Sequence, residues 1–387
     1  MNRFRLLSVV WFAFLCNPAW AQVSVRGQII DENGKGLPFA SVYILSNPQV
    51  GTISNLSGEF SMQNVLPQDT LVVDYLGYEI LKIPIQEMIN SDNQIYALTQ
   101  KSIEIPEIVI TPEGVKDMIK EAYSKIADNY PAAYPIIQGI FRKQVVKDGE
   151  YSLFGECYLD LRYNSLSEIA KTRSLGGKQR VFNIRLSEDN FLNEDVYLSI
   201  SPESIITPYP IFSPLYNNQR DNYIWTTEAI LEKSGEQIME ISFKSKDASL
   251  ERHGRIYVSI KDKAIVAIID TSKTNLGGHN SSGVTTETNN SYTTMYAFYK
   301  KERDKWVLSY NRVDIISDIK YINKREPEKN FESPVIISYD YMTIGWKEIS
   351  AEDSNFEKCK DPFSKPGRKY PKTEMSEFTK ILPDYKF

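Results

Sequence analysis

Only two histidines, His253 and His279, occur in the chain, and a zinc peptidase would have to be built around them. Such a site takes two histidines with a His-x-x-Glu pair, because the metal needs several nitrogen and oxygen donors at short range. His253 is followed by Gly254-Arg255-Ile256 and His279 by Asn280-Ser281-Ser282, so neither supplies the carboxylate at that spacing. His253 reads as a strand-entrance residue and His279 as part of a polar loop. A serine hydrolase fares no better: there is no Gly-x-Ser-x-Gly elbow, and a triad would rest on the same two histidines brought together by tertiary structure alone. Of the glycine-rich stretches, Gly176-Gly177-Lys178 is followed by Gln179 rather than the Ser or Thr a phosphate loop requires. It and Gly277-Gly278 read as mobile loops. Glu188, Asp189, Glu194 and Asp195, with Asn190 and Asn193, offer the oxygen donors calcium takes, but without the regular alternation and glycine of a calcium loop. A solvated acidic loop is the expectation. No catalytic, metal-binding or cofactor-binding residue emerges, and the chain reads as a non-enzyme.

The stretch Ser201 to Trp225 points instead to binding. Pro202, Pro208, Pro210 and Pro214 bar regular structure there, while Tyr209, Phe212, Tyr216, Tyr223 and Trp225 offer large amphipathic contact area. These five aromatics are the candidate rim of a ligand or partner site; the competing reading is that they plug a core.

Residues 1–21 read as an export leader: Arg3 and Arg5, the apolar run Leu6 to Leu15, then Ala19-Trp20-Ala21 as a small-x-small cleavage site. That run is too short to span a bilayer, and no later one approaches the required length. Removing Arg3 and Arg5 from the 45 basic side chains leaves 43 against 50 acidic ones, so the net charge moves from −5 to −7. A mildly acidic, mixed surface excludes nucleic acid, which is bound through basic patches. Beyond the leader, Cys157 and Cys359 are either a pair in an oxidising compartment or two separate thiols; spacing does not decide.

From Val23 onward, short alternating runs are separated by turn signals: Val23 to Ile30, Asp31-Glu32-Asn33-Gly34 as a tight hairpin turn, Ala40 to Leu45, Gly51-Thr52-Ile53, Ser57-Gly58, Glu59 to Met62, Leu71 to Tyr75 and Glu79 to Ile85. This pitch indicates a β-sandwich. Gly27, Pro38, Ala40, Val42, Gly51, Thr52, Gly58, Phe60, Leu71, Gly77 and Tyr78 then carry a family resemblance: the segment resembles the carboxypeptidase regulatory-like domain of bacterial envelope proteins. The resemblance implies a transthyretin-like sandwich over residues 22–100, without catalytic residues and with a docking or scaffold role. Ser57 departs from the acidic residue usual before that glycine, and suits the turn equally. Ile105 to Thr111 resembles the short strand that ends this module in TonB-dependent receptors, within a linker at 101–112. The residues that follow are too few for a plug and a 22-stranded barrel.

Residues 113–350 open with one helix, whose Val115, Met118, Ile119, Ala122, Tyr123 and Ile126 share a face. Then come nine β runs: Ile136 to Val146, Tyr151 to Tyr163, Asn222 to Leu231, Gln237 to Lys244, Gly254 to Ile260, Ala264 to Thr271, Tyr292 to Tyr299, Trp306 to Ile316 and Val335 to Trp346. Turns such as Lys147-Asp148-Gly149-Glu150 join neighbours directly, so the sheet is expected to be antiparallel. Leu276 to Thr288 reads as an exposed flap or as a disordered segment. The strand pair around Lys261-Asp262-Lys263, with the single helix, resembles the half-barrel of periplasmic lipoprotein carriers. The expected fold is therefore mainly β: a sandwich, then a helix packed on a large curved antiparallel sheet, then a polar tail at 351–387. The function expected is a non-enzymatic exported protein, periplasmic or associated with the outer membrane. It would bind an apolar, lipid-like ligand or an envelope partner. The alternative is a structural subunit of an outer-membrane assembly of the TonB-dependent type with no small ligand.

Overall fold

The computed structural model describes residues 23–90, 94–101, 112–131, 136–162, 177–186, 202, 220–233, 235–274, 276–281, 283–302, 304–347, 356–360 and 362–363. The leader at 1–21, the strand expected at Ile105 to Thr111, the acidic run at 188–195 and the tail beyond 363 lie outside these. The described residues form two units, one before residue 102 and one after it.

The first unit is a sandwich of two small sheets. β1 (Val23–Ile30) lies between β4 (Glu59–Val65) and the parallel β7 (Ile95–Ala97); β2 (Ser41–Ile44) lies between β3 (Asn47–Ile53) and β5 (Thr70–Asp74), with β6 (Leu81–Pro84) outermost. Inward residues from both sheets, among them Ile29, Val42, Phe60 and Leu71, make one buried core. The Asn33-Gly34 turn does not make the β1–β2 hairpin expected of it. Asp31 Oδ1 accepts from the backbone N–H groups of Asn33 and Lys35, a single bridge forms between Ile30 and Gly36, and the chain crosses to the other sheet. Asp31 satisfies the turn internally, so no ladder is needed to hold it. The run Glu79 to Ile85 also stops short of expectation, since Ile85–Ile89 forms the short helix α1.

The second unit is one open antiparallel sheet in the order β11-β12-β13-β14-β16-β17-β18-β8-β9-β10-β19, with β15 added on β16. Its strands are β8 (Ile136–Lys147), β9 (Glu150–Arg162), β10 (Lys178–Leu186), β11 (Tyr223–Lys233), β12 (Glu236–Ser245), β13 (His253–Ser259), β14 (Ile265–Lys273), β15 (His279–Ser281), β16 (Val284–Glu302), β17 (Lys305–Asn323), β18 (Phe331–Lys347) and β19 (Glu357–Lys358). Most neighbours in the sheet are consecutive antiparallel strands; the two pairings distant in sequence are β18 with β8 and β19 with β10. The N-terminal strands of this unit, β8 to β10, therefore lie between β18 and the β19 edge, and β11 forms the opposite edge.

Three expectations are corrected. The stretch Leu276 to Thr288 is not a flap throughout: β15 and the start of β16 form a hairpin that carries on the sheet. Its threonines have high β propensity. Gly177-Lys178 is not a loop either, since Lys178 opens β10 opposite Arg162. Part of the polar tail is built in, because Glu357–Lys358 pairs with β10 and Phe363 is buried.

Helix α2 (Pro112–Ser124) buries Val115, Ile119 and Ala122, the stripe expected, and contacts β11. A short α3 (Ile126–Asn129) follows. Asn129 Nδ2 donates to the carbonyls of Asp262 and Lys263 at 3.0 and 3.2 Å, and the Tyr130 hydroxyl donates to the carbonyl of Ile265. These bonds pin the end of the helical segment to the β13–β14 turn.

Gly139 in β8 permits a close approach within the sheet. A Cβ there would lie 2.4 Å from the Met342 carbonyl oxygen and 2.6 Å from Tyr341 Cζ. Tyr341 leans across this gap, and its hydroxyl donates to the carbonyls of Ile137 and Leu159. Gly139→Ala should lower the unfolding free energy by about 1–3 kcal/mol, the usual overpacking cost, as read from urea titrations.

Candidate functional site

Side chains alternate across a strand, so the registers of the large sheet define two faces. On one face a single row runs directly strand to strand from β11 to β9: Thr227, Ile241, Ile256, Ile268, Ala297, Asn311, Tyr341, Phe141 and Cys157. From Ile241 to Cys157 every member is buried. Asn311 is the polar exception in the middle of that span. It is 0% exposed, and neither its Nδ2 nor its Oδ1 has a hydrogen-bond partner among the described residues. An unsatisfied buried amide costs about 1–3 kcal/mol. Asn311 is thus a buried polar group set within an apolar row.

The two ends of this face are covered differently. Over β16, Tyr130 meets Tyr299 edge-on at 5.4 Å, and Tyr299 lies two residues beyond Ala297, on the same side. Toward β9, Phe363 stacks on Phe141 with ring centroids 5.8 Å apart and planes 6° from parallel.

The opposite face is polar and equally buried. Arg312, Asp340, Arg142 and Glu156 stand directly opposite one another on β17, β18, β8 and β9, a ladder of alternating charge. Arg142 Nη2 donates to Glu156 Oε2 at 2.7 Å, with Nε on the same oxygen at 3.2 Å. Arg312 Nη1 reaches Asp340 Oδ1 at 3.3 Å and its Nε reaches Asp314 Oδ1 at 2.7 Å. The Tyr310 hydroxyl and Gln144 Nε2 donate to the two oxygens of Asp340. Along the same face, Arg180 and Gln138 donate to Asp160. Burial pushes the Asp314 carboxyl above its ordinary value; Arg312 and Ser338 oppose the rise and Asp340 adds to it. The Tyr158 hydroxyl is likewise raised, by burial first and by Asp160 second.

Of the five rim aromatics, Tyr209, Phe212 and Tyr216 lie outside the described residues. Tyr223 and Trp225 are brought together on β11 with Phe243 of β12, ring centroids 5.6–5.9 Å apart, and both are buried. Trp225 Nε1 donates to the Arg220 carbonyl. Both sit on the apolar face, next to its first row. His253 is exposed at the start of β13, and His279 opens β15. Among the described residues no group of three or more His, Cys, Asp or Glu is arranged to hold a metal ion, and no helix is long and apolar enough to cross a membrane. Sequence reading missed Asn311 and the charge ladder. Asn311 alone left a signal: it takes an inward position next to Val313 and Ile315, where an apolar residue belongs.

Residues 25–110 match the family model of the CarboxypepD_reg-like domain, so the first unit is that module. A TonB-dependent receptor of Formosa agariphila is 30% identical over 109 residues, which are 28% of this chain and 10% of the receptor. The chain spans about a tenth of that relative's length. A putative outer membrane lipoprotein-sorting protein domain from Vibrio parahaemolyticus is similar at 10% identity and a TM-score of 0.25, covering 61% of this chain and 95% of that one. A LolA superfamily protein from Nitrosomonas europaea is similar at 10% identity and 0.21, covering 63% and 97%.

Two predictions follow from the polar face. Arg142→Met should cost about 3–5 kcal/mol, because Glu156 is left buried and charged, and the double change with Glu156→Leu should recover most of it; urea titrations of the three variants measure this. For Asp314, a raised folded-state value means the native protein binds the proton more readily than the unfolded chain. Its contribution is full below the ordinary carboxylate range and lost as pH rises through the raised value. Asp314→Asn should therefore gain stability relative to the parent as pH rises across that window, as seen in denaturation midpoints against pH.

Proposed function

We propose that the protein is an exported envelope protein that holds an apolar, lipid-like molecule bearing one hydrogen-bonding group against the apolar face of its large sheet. The observation that carries this reading is Asn311, a fully buried amide without a partner among the described residues, set in an apolar row. Small-molecule sites have that composition: apolar walls with a few fixed polar groups that orient the ligand. Tyr223 and Trp225 would bound the face at its β11 end, and the regulatory-like sandwich would serve as the docking module. The reading is of a binder, not an enzyme, and it fits a periplasmic or outer-membrane-associated location. A second reading, a structural subunit of an outer-membrane assembly with no small ligand, is favoured by the match of the N-terminal region to a TonB-dependent receptor.

Native mass spectrometry of the gently purified protein, with solvent extraction of any adduct, tests the first reading. An apolar adduct is expected, and Asn311→Leu should reduce its occupancy several-fold while leaving stability unchanged or raised, since an unsatisfied group is removed. A clean apo mass with a co-purifying membrane protein would support the second reading and overturn the first.

A further inference from the structure

Residues 356–363 lie on the apolar face as a short strap. β19 pairs with the β10 edge, Glu357 opposite Gln179 and Lys358 opposite Lys178. The Cys359 N–H donates to the Gly177 carbonyl, and the Lys360 N–H to Gln179 Oε1, each at 3.3 Å. Gln179 stands opposite Leu161, and Leu161 opposite Ile137, so its side chain belongs to the apolar face and the strap crosses above it. Phe363 ends the crossing. Its ring lies flat on Phe141, which in turn stacks on Tyr339 at 6.2 Å. The sheet is shaped to take that ring: a Cβ at Gly155, in β9, would meet Phe363 Cδ1 at 2.7 Å. Phe363 is 5% exposed and packs in one cluster with Leu153, Cys157 and Leu159. The tether is slighter than this seat. It is a ladder of two residues, followed by two hydrogen bonds at the long limit. Lys178 and Lys358 are both exposed and directly opposite one another, and like charges across a ladder weaken it.

We propose that this strap is an internal occupant of the ligand site: Phe363 fills the place over Phe141 and Gly155 that the chain of an apolar ligand takes, and ligand entry lifts the strap off the β10 edge. The inference rests on the ligand reading and adds its regulation. An apolar chain laid over Phe141 restores the burial that Phe363 gives up, so the exchange costs chiefly the short ladder with its opposed lysines. The apparent affinity is then the intrinsic affinity scaled by the fraction of molecules whose strap is lifted. Whatever weakens the strap tightens binding, and whatever strengthens it weakens binding.

Titration of the full chain with N-phenyl-1-naphthylamine, an uncharged probe whose fluorescence rises in apolar surroundings, tests this. Phe363→Ala removes the stacked ring and should tighten probe binding about tenfold. Lys358→Glu sets a carboxylate opposite Lys178, strengthens the ladder, and should weaken probe binding about threefold at low salt. Loosened packing would not shift the two variants in opposite directions. Saturating probe should also speed hydrogen exchange at the Cys359 and Lys360 amides of the parent about tenfold, the reverse of the protection a ligand gives to residues it merely covers. Equal affinity in all three forms, or amides that exchange no faster with probe bound, would overturn the strap and leave the ligand reading standing. No uptake by any form would overturn both.

Discussion

The second unit depends on the buried ladder Arg312, Asp340, Arg142 and Glu156. The sheet is built mostly of strands that pair with their neighbours in sequence; its long seam is where β18 returns to pair with β8 across nearly the whole unit, and only the two-residue β19 on β10 is as distant. Asp340 and Arg142 face each other at that seam, and each is tied outward to the next strand, Asp340 to Arg312 and Arg142 to Glu156. Opposite charges directly across a ladder favour one register, and a slip of one residue would turn every side chain to the wrong face. Here a slip would also bury like charges or leave ions unpaired. Burying four ions gains little net stability over an apolar set of the same volume; what the ladder supplies is discrimination against wrong pairings.

That discrimination matters because both faces are covered. An antiparallel sheet commonly has one face in water, and the alternation of apolar and polar residues then fixes which way it lies. β8 is buried along almost its whole length, on both sides. Hydrophobicity alone would not orient such a strand, since Ile136, Ile140 and Val146 on one side match Ile137, Phe141 and Val145 on the other. Arg142 and Gln144 on one side, with Gly139 under Tyr341 on the other, break the tie.

How much of this was legible varied with how local the cause was. The sandwich could be read because its turns and inward residues are each fixed within a few positions, and the domain match covers the same stretch. The helix stripe at Val115, Ile119 and Ala122 and most of the strands were legible for the same reason. The β15–β16 hairpin was not, because a glycine-, serine- and threonine-rich segment looks alike whether it pairs or not until a partner strand is known, and β10 was not, because Lys178, Arg180 and Arg185 break up its short apolar run. The ladder was hidden further still. Arg142, Glu156, Arg312 and Asp340 each sit in ordinary alternation, and each reads alone as a solvated position. Only the register shows that they meet.

Asn311 and the aromatics Tyr130 and Phe363 bear on the same face. A polar amide in the centre of an apolar row weakens packing unless something completes it, and nothing from the described chain does. The covered ends show what the chain can supply. Over β14 and β16 it brings Tyr130 on a helical segment anchored by backbone carbonyls; toward β9 it brings Phe363 on a segment anchored by an edge strand. Both are aromatic and neither carries a donor or acceptor to the middle of the row. Asn311 is itself 0% exposed, so the amide is enclosed within an apolar row with its hydrogen-bonding capacity unmet among the described residues.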